Sequence, residues 1–324
     1  MRALRILRPN QAEVVEVPTP SPGPGEILIR IEAVNTCPQW DLHIMSGSPM
    51  FPGDQIEYPY PAGQPGHEAA GEVLTAGAGV ETLRPGDRVA LWRDPGPDVT
   101  GCYAECVVRD PADVLLVPDH LEYRQVASIE LAACVQVSFD QLERADALKG
   151  ARFGVSGLGP AGLIALQMAR AYGAAEVVAF DPIPERRKLA LRLGADSAHP
   201  PADFGQEDHL RHGRLALDAS VECAGAAASA QFLADRTRHA LALLGVLRDD
   251  FAFGFRHWDG LSVFGYGGPN AKAAARALVL VAQGRLDLLP LITHTLPLER
   301  YPDGVKLLAA REAIKICFEP SRRR

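Results

Sequence analysis

The sequence lacks any apolar run long enough to cross a membrane. Its longest apolar stretches, residues 240–247 and 277–282, fall far short of the roughly 20 residues that a spanning helix requires. The chain also enters a strand-like pattern directly after Met1, without the architecture of a signal peptide. These absences argue against a membrane partner and predict a cytoplasmic location.

Basic residues are fewer than acidic residues. The chain has 33 Lys and Arg residues against 40 Asp and Glu residues, a formal net charge of −7, and the basic ending at residues 322–324 is too short to reverse that balance. Because a net negative surface repels polyanions, nucleic acid is excluded as the main partner. We expect the partner to be a small-molecule substrate.

The few cysteines do not form a disulfide framework. The six are scattered along the chain, at positions 37, 102, 106, 134, 223 and 317, which is typical of free thiols in a reducing compartment. Cys102 and Cys106 could form a metal-binding pair. They lie in an alternating, strand-like stretch without a second pair, so we interpret them as small core residues.

The length of the chain and the order of its strand-like and helix-like segments predict two domains. At 324 residues the chain is about twice a typical domain, and its composition, 47% apolar and 23% charged, is that of a globular protein. Residues 1–134 contain short strand-like runs separated by Pro and Gly clusters. Residues 135–268 alternate strand and helix patterns, which predicts a parallel sheet covered on both faces. Residues 269–324 hold one convincing helix and then short strands.

A glycine-rich motif opens the first helix pattern of the middle stretch. In this position the first glycine permits a tight turn, the second lets the backbone approach a pyrophosphate, and the third lets the helix pack closely on the strand. The helix N-terminus then offers free N–H groups to the phosphates. The strand before it and the helix after it make the motif specific. The predicted cofactor-binding residues of this α/β nucleotide-binding (Rossmann) domain are Gly157, Gly159, Pro160, Ala161 and Gly162.

An acid follows at the distance that this motif requires. Asp181 ends the next predicted strand, 19 residues after Gly162, where a carboxylate can bind both hydroxyls of an adenosine ribose and repel a 2′-phosphate. The alternative is that Asp181 only caps the following helix. Arg186 and Arg187 are close enough to weaken the discrimination, so we predict NAD rather than NADP, with Arg186 as a further cofactor-binding residue.

A second group of residues has the chemistry of a metal site. His67 and Glu68 lie at the entry to a predicted strand, where a His-Glu pair alone would usually be an exposed polar turn. Together with Cys37 upstream and Glu130 downstream they offer a thiolate, an imidazole and carboxylates, a donor set suited to zinc. The sequence alone does not show that these residues converge.

These motifs resemble those of the zinc-containing medium-chain alcohol dehydrogenases and reductases, a family that includes sorbitol and threonine dehydrogenases. Gly66-His67-Glu68 with Gly71 is similar to the family's G-H-E-x-x-G signature, and residues 85–89 to its P-G-D-R-V turn. The glycine motif is similar to that of its cofactor domain, and residues 284–294 to its C-terminal return segment. The resemblance implies a β-rich GroES-like catalytic domain, interrupted by the nucleotide domain and completed by the C-terminal segment.

The same resemblance implies a catalytic zinc ion held by Cys37 and His67, with Glu68 as the carboxylate at the site. Glu130 falls where related polyol dehydrogenases have a glutamate that binds the metal directly or through water. Whether Glu68 or Glu130 is the direct third ligand stays open. Zinc in such a site polarises the substrate oxygen and favours the alkoxide from which hydride leaves to the nicotinamide.

Two departures from the family pattern affect the expected chemistry. The segment from Cys37 to His43 is one residue longer than usual and has Gln39 where a hydroxyl commonly passes on the substrate proton. An amide is a poor proton relay, so His43 could carry the proton, although a surface or helix-capping histidine is as good an interpretation. In addition, residues 91–101 contain no cysteine, so the four-cysteine lobe for structural zinc is absent and we expect one catalytic zinc ion.

The leading hypothesis is therefore a zinc- and NAD-dependent oxidoreductase acting on a secondary alcohol, a polyol or the related carbonyl. One alternative is a zinc-free quinone or enoyl-type reductase of the same superfamily. Another is a non-catalytic nucleotide-binding protein, because a fold alone does not establish chemistry. We also expect a homodimer or homotetramer, since the apolar run at residues 261–266 would leave an exposed apolar sheet edge in a monomer.

Overall fold

The computed structural model describes residues 1–51, 53–205 and 207–322; Arg323 and Arg324 of the basic ending lie outside this part of the chain. The chain divides into two compact units. The first comprises Met1–Leu131 with Leu288–Arg324, and the second comprises Ala132–Asp287. No helix in the described residues is both long and apolar enough to span a membrane.

Strands dominate the first third of the chain, and strands and helices alternate after it. The strands are β1 (Arg2–Arg8), β2 (Gln11–Glu16), β3 (Ile27–Asn35), β4 (Glu68–Ala76), β5 (Arg88–Leu91), β6 (Cys106–Arg109), β7 (Val114–Leu116), β8 (Arg152–Ser156), β9 (Glu176–Phe180), β10 (Ser197–His199), β11 (Leu217–Glu222), β12 (Thr237–Leu243), β13 (Ser262–Phe264), β14 (Ile292–Leu296) and β15 (Lys315–Phe318). The α-helices are α1 (Pro38–Ser46), α2 (Tyr123–Val126), α3 (Ile129–Arg144), α4 (Pro160–Ala171), α5 (Pro184–Arg192), α6 (Ala227–Ala234), α7 (Phe255–Trp258), α8 (Ala271–Ala282) and α9 (Tyr301–Ala309).

The first unit is β-rich, as predicted. Its main sheet has the order β14-β15-β3-β4-β5-β7, with β6 also paired to β3, and β1 and β2 form a separate antiparallel pair. Strand β3 supplies much of the core because Ile27, Ile29 and Ile31 alternate inward along the pleat and are fully buried. The C-terminal strand β15 pairs antiparallel with β3, so the last segment of the chain completes the sheet that the first segment begins.

The strand register brings chemically active residues to one end of this sheet. Asn35, the last residue of β3, pairs with Glu68, the first residue of β4, and with Cys317 of β15. Cys37 therefore follows β3, and His67 precedes β4, at the same end of neighbouring strands. This arrangement is the reason that residues 30 positions apart in the sequence can meet.

The second unit contains the predicted parallel sheet. Its six strands have the order β10-β9-β8-β11-β12-β13, and every pairing between them is parallel. Numbered from the start of the unit, the order is 3-2-1-4-5-6, the arrangement of dinucleotide-binding sheets. The order reverses between β8 and β11, which is where such sheets bind their ligands.

The unit boundaries differ from those that we placed at 134/135 and 268/269. Helix α8, which we assigned to the C-terminal segment, belongs to the second unit. Arg276 of α8 donates to Asp140 at 2.5 Å and to Glu143 at 2.8 Å, and its guanidinium lies 5.1 Å from the Tyr172 ring. These contacts hold α8 against α3 and the end of α4, and the return to the first unit begins only at Leu288.

Candidate metal centre and nucleotide-binding loop

The structure brings together three of the four candidate metal ligands of the sequence analysis. The Sγ atom of Cys37, a ring nitrogen of His67 and a carboxylate oxygen of Glu68 all lie within 4.8 Å of one another. Cys37 occupies the N-cap position of α1, where its side chain makes no capping hydrogen bond. The positive end of the helix dipole therefore lies beside the sulfur, where it stabilises negative charge.

The ring of His67 is oriented for metal binding. Its Nδ1 donates a hydrogen bond to the carbonyl oxygen of Pro65 at 2.8 Å, which leaves Nε2 as the ligand atom. Nε2 lies 3.9 Å from Oε2 of Glu130, which is in the first turn of α3. Two ligand atoms joined to one tetrahedral zinc ion by bonds of about 2.1 Å are about 3.4 Å apart. A small movement of either side chain would therefore bring Nε2 and Oε2 to the distance that a shared zinc ion requires.

The electrostatic environment of His67 favours a cation. Burial by itself lowers the pKa of this histidine, but the hydrogen bond with Cys37 and the charges of Cys37, Glu130 and Asp94 raise the pKa well above its usual value. A site that stabilises positive charge at a buried imidazole also suits a divalent metal ion. The donor set of one thiolate, one imidazole and carboxylates fits zinc.

Glu68 has a partner that the sequence analysis missed. Both of its carboxylate oxygens accept hydrogen bonds from Nζ of Lys315, at 2.5 and 2.6 Å, and both side chains are fully buried. Lys315 also donates to the carbonyl oxygen of Thr36 at 2.7 Å. Because the ammonium group already neutralises Glu68, charge balance, and not proximity, favours Glu130 as the third ligand beside Cys37 and His67. The only signal in the sequence was a lysine within the apolar run 313–318.

A buried carboxyl group, also missed from the sequence, lies on α1. Oδ1 of Asp41 accepts hydrogen bonds from the hydroxyls of Tyr103 at 2.8 Å and Tyr301 at 2.7 Å, while Oδ2 is buried without a hydrogen-bond partner. Burial raises the pKa of Asp41 to about 6, against the opposing effect of the two tyrosine hydroxyls. These contacts fix α1, and with it Cys37, against the core of the first unit.

The two residues considered for proton transfer are both on α1. Helix α1 begins at Pro38, so Gln39 is in its first turn, and the Gln39 side chain is exposed. His43 is half-buried, and its Nδ1 donates to the carbonyl oxygen of Ser48 at 2.8 Å. That bond directs Nε2 away from the loop that follows the helix.

The glycine loop of the second unit has the geometry that its sequence predicts. Gly157 has a φ of +87°, and a Cβ atom there would lie 2.6 Å from the Ala224 nitrogen; a Cβ on Gly162 would lie 1.8 Å from the Gly157 oxygen. Gly159 is the N-cap of α4, and a Cβ there would meet no atom within 4 Å. With Pro160 at the first helical position and Ala161 after it, the loop leaves open space beside the N-terminus of α4, the position that a pyrophosphate requires.

Asp181 contacts the glycine loop directly. Its carboxylate is almost fully buried and accepts hydrogen bonds from the backbone N–H groups of Leu158 and Ile183, each at 2.8 Å. Arg186 lies 3.9 Å from the same carboxylate, and Arg187 donates to the Asp181 carbonyl oxygen at 2.7 Å. The N-cap of α5 is Ile183 and not Asp181. The carboxylate therefore holds the loop in place, a role that the sequence analysis did not foresee.

Cys102 and Cys106 are both buried, in agreement with their interpretation as core residues. The Cys102 sulfur accepts a hydrogen bond from the Arg109 guanidinium at 3.5 Å, and Cys106 begins strand β6. Burial raises the pKa of both thiols, which favours the neutral form over a metal-binding thiolate.

Comparison with known families and proteins agrees with this architecture. Residues 23–119 match the alcohol dehydrogenase GroES-like domain, and residues 160–273 match the zinc-binding dehydrogenase domain. The first match lies in the β-rich unit that holds Cys37 and His67. The second begins at Pro160, within the glycine loop, and covers five of the six strands of the parallel sheet. The two domains together define a dehydrogenase of the zinc-binding type.

Similar proteins extend the match to nearly the whole chain. Sorbitol dehydrogenase of Gallus gallus is 28% identical, covering 98% of this chain and 96% of that protein. L-threonine 3-dehydrogenase of Pyrococcus abyssi is 28% identical, covering 95% and 94%. A protein of Sinorhizobium meliloti 1021 solved with bound NADP is 26% identical, with a TM-score of 0.85 over 98% of this chain and 99% of that one. This chain belongs to the family of zinc-binding medium-chain alcohol dehydrogenases and reductases.

Proposed function

We propose that this protein is a zinc- and nicotinamide-dependent dehydrogenase that oxidises a secondary alcohol or polyol, or reduces the corresponding carbonyl. The observation that carries the proposal is the convergence of Cys37 and His67 with two carboxylates. Glu68 lies within 4.8 Å of both, and Glu130 lies 3.9 Å from the ligand nitrogen of His67. The names of the similar sorbitol and threonine dehydrogenases support a substrate with a hydroxyl group on a secondary carbon.

Cys37, His67 and Glu130 are the proposed ligands. Zinc held by them would act as a Lewis acid that lowers the pKa of a substrate hydroxyl and so favours hydride loss to the nicotinamide. The thiolate and one carboxylate balance the charge of a divalent ion, and Lys315 separately balances Glu68. Each buried charge of the metal centre then has a partner of opposite sign.

The nucleotide is proposed to bind the second unit. The open space at Gly159 and the N–H groups at the start of α4 would hold the pyrophosphate. Asp181 would bind the adenosine ribose, and Arg186 at 3.9 Å would lie beside it. We propose NAD rather than NADP because a carboxylate at this position repels a 2′-phosphate, although one similar structure contains NADP.

Proton transfer is assigned to His43 and substrate contact to Gln39. Histidine exchanges protons near neutral pH, whereas the amide of Gln39 can only donate or accept a hydrogen bond. We expect His43→Ala to lower turnover, while Gln39→Ala acts mainly on KM.

The proposed function is tested with a panel of secondary alcohols and polyols, by following nicotinamide reduction in the optical absorbance. We expect activity with at least one substrate, loss of activity after dialysis against a metal chelator, and recovery when zinc is added back. Activity that survives complete metal removal, or that appears only with quinones or enoyl substrates, would favour a zinc-free reductase of the same superfamily. Nucleotide binding without turnover of any substrate would indicate a non-catalytic protein.

A further inference from the structure

The segment of residues 92–101 is firmly anchored in the first unit. This cysteine-free stretch stands where the family often carries its structural-zinc lobe. At its start, Nε1 of Trp92 donates to the carbonyl oxygen of Ala112 at 2.8 Å. At its end, the N–H of Gly101 donates to the carbonyl oxygen of Ala62 at 3.0 Å. The segment is therefore held at both ends.

The same segment is hydrogen-bonded to the stretch of chain that carries His67. Gln64, three residues before His67, is almost fully buried and donates from Nε2 to the carbonyl oxygens of Gly96 at 2.8 Å and Val99 at 3.0 Å. The backbones also approach closely, because a Cβ on Gly101 would lie 2.3 Å from the Gly63 oxygen. Residues 63–67 and residues 96–101 thus support each other.

This packing places a carboxylate beside the ring of His67. Oδ1 of Asp94 accepts a hydrogen bond from the N–H of Gly96 at 2.9 Å, and Oδ2 lies 3.8 Å from Nδ1 of His67. Nδ1 donates its hydrogen bond to Pro65, so Asp94 adds negative charge on the side of the ring that faces away from the ligand atom Nε2. Asp41, the carboxylate of α1, instead accepts hydrogen bonds from two tyrosines.

We propose that Asp94 is a positioning residue of the metal centre, which strengthens Nε2 of His67 as a metal ligand through its charge beside Nδ1. The proposal rests on the zinc site of the proposed function. A carboxylate near the remote nitrogen of a metal-bound histidine fixes the ring and raises its basicity, and losing such a partner typically costs 10–100-fold in metal affinity. Because the hydrogen bond to Pro65 remains when Asp94 is changed, we expect a loss of about tenfold, the lower end of that range.

The test compares zinc affinity in wild-type protein, Asp94→Asn and Asp98→Asn by competition with a chromophoric chelator. Asp98 is an exposed carboxylate of the same segment, so its variant has the same change in charge away from His67. We expect Asp94→Asn to bind zinc about tenfold more weakly and Asp98→Asn to match the wild type. Asparagine keeps the acceptor for the Gly96 N–H, so the metal-free variants should unfold at the wild-type temperature.

A spectroscopic measurement separates positioning from general loosening of the segment. In cobalt-substituted protein the ligand-field absorption bands should shift in Asp94→Asn and stay unchanged in Asp98→Asn. Equal zinc affinity in wild type and Asp94→Asn would overturn the inference, as would a loss of affinity accompanied by a lower unfolding temperature of the metal-free variant. Wild-type protein that binds no zinc would overturn the proposed function together with this inference.

Discussion

The carboxylate of Asp181 has one role in the structure and a second role in the proposed function. It accepts hydrogen bonds from the backbone of Leu158 and Ile183, and it is proposed to bind the ribose of NAD. A substitution therefore acts both on the conformation of the glycine loop and on the choice of cofactor. Two variants are needed to separate these effects.

We predict that Asp181→Asn and Asp181→Ala both shift the preference from NAD toward NADP. The repulsion between this carboxylate and a 2′-phosphate costs on the order of 1–3 kcal/mol, so the ratio of the two dissociation constants should change by about 5-fold to 150-fold. Asp181→Ala should also weaken both cofactors, because the loop loses both hydrogen bonds, whereas Asp181→Asn can keep one. Titration of the wild type and both variants with NAD and NADP measures these effects. An unchanged ratio of the two dissociation constants in both variants would refute the role of Asp181 in cofactor choice.

Some residues of the proposed sites are predictable from the sequence because they lie in motifs of fixed spacing. Gly157, Gly162 and Asp181 are of this kind, since a strand, a turn and a helix fix their distances within one local unit. Lys315 is not predictable, because it lies 247 residues from its partner Glu68 and a single lysine in a short apolar strand has no periodic pattern. The hydrogen bonds from the glycine loop to Asp181 were missed for a related reason. A side chain that accepts from backbone N–H groups has no partner residue type that the sequence could reveal.

Strands β4 and β15 are joined through this buried pair of charges. Glu68 begins β4 and Lys315 begins β15, and β3 lies between these two strands in the sheet. The pair therefore links the C-terminal strand to the end of the sheet where Cys37 and His67 lie. Removing one partner would leave an isolated charge in the core.

We predict that Lys315→Met destabilises the metal-free protein by about 3–5 kcal/mol, because Glu68 is left buried and unpaired. The double variant Lys315→Met with Glu68→Gln should recover much of that loss, since neither buried charge remains. Urea unfolding followed by circular dichroism measures both effects. A single variant as stable as the wild type, or a double variant no better than the single one, would show that the pair is not coupled in this way.

Strand β13 is the terminal strand of the parallel sheet. It is shorter than the sequence predicted, Ser262–Phe264 instead of residues 261–266, because the pairing with β12 covers only three residues. Helix α7 directly precedes it in the chain and carries two exposed aromatic side chains, with Phe255 at 87% and Trp258 at 67% exposure. A terminal strand that follows exposed aromatic rings in the chain is typical of an association surface.

We therefore propose that the protein forms a homodimer or homotetramer through this edge. Light scattering at micromolar concentration should give at least twice the mass of one chain, and the amides of β13 should be protected from hydrogen exchange. Dilution until the complex dissociates serves as the control, since protection of β13 should then decrease. A stable monomer at micromolar concentration would contradict the proposal.

The architecture of the molecule was more predictable than its boundaries. The change from β-rich runs to alternating strands and helices reflects two different periodicities, so both domain types could be inferred. The end of the nucleotide-binding unit could not, because α8 has an apolar face that either unit could bury. Only tertiary contacts such as that between Arg276 and Asp140 assign it.

The zinc content of protein purified without chelator, compared with that of Cys37→Ala, tests the proposed metal centre most directly. We predict about one equivalent of zinc per chain in the wild type and loss of most of it in the variant, because the thiolate supplies both negative charge and a soft donor. Asp98→Asn, which changes a charge elsewhere in the first unit, should keep its zinc. Wild-type protein without zinc, or Cys37→Ala with its full zinc content, would contradict the assignment of this site.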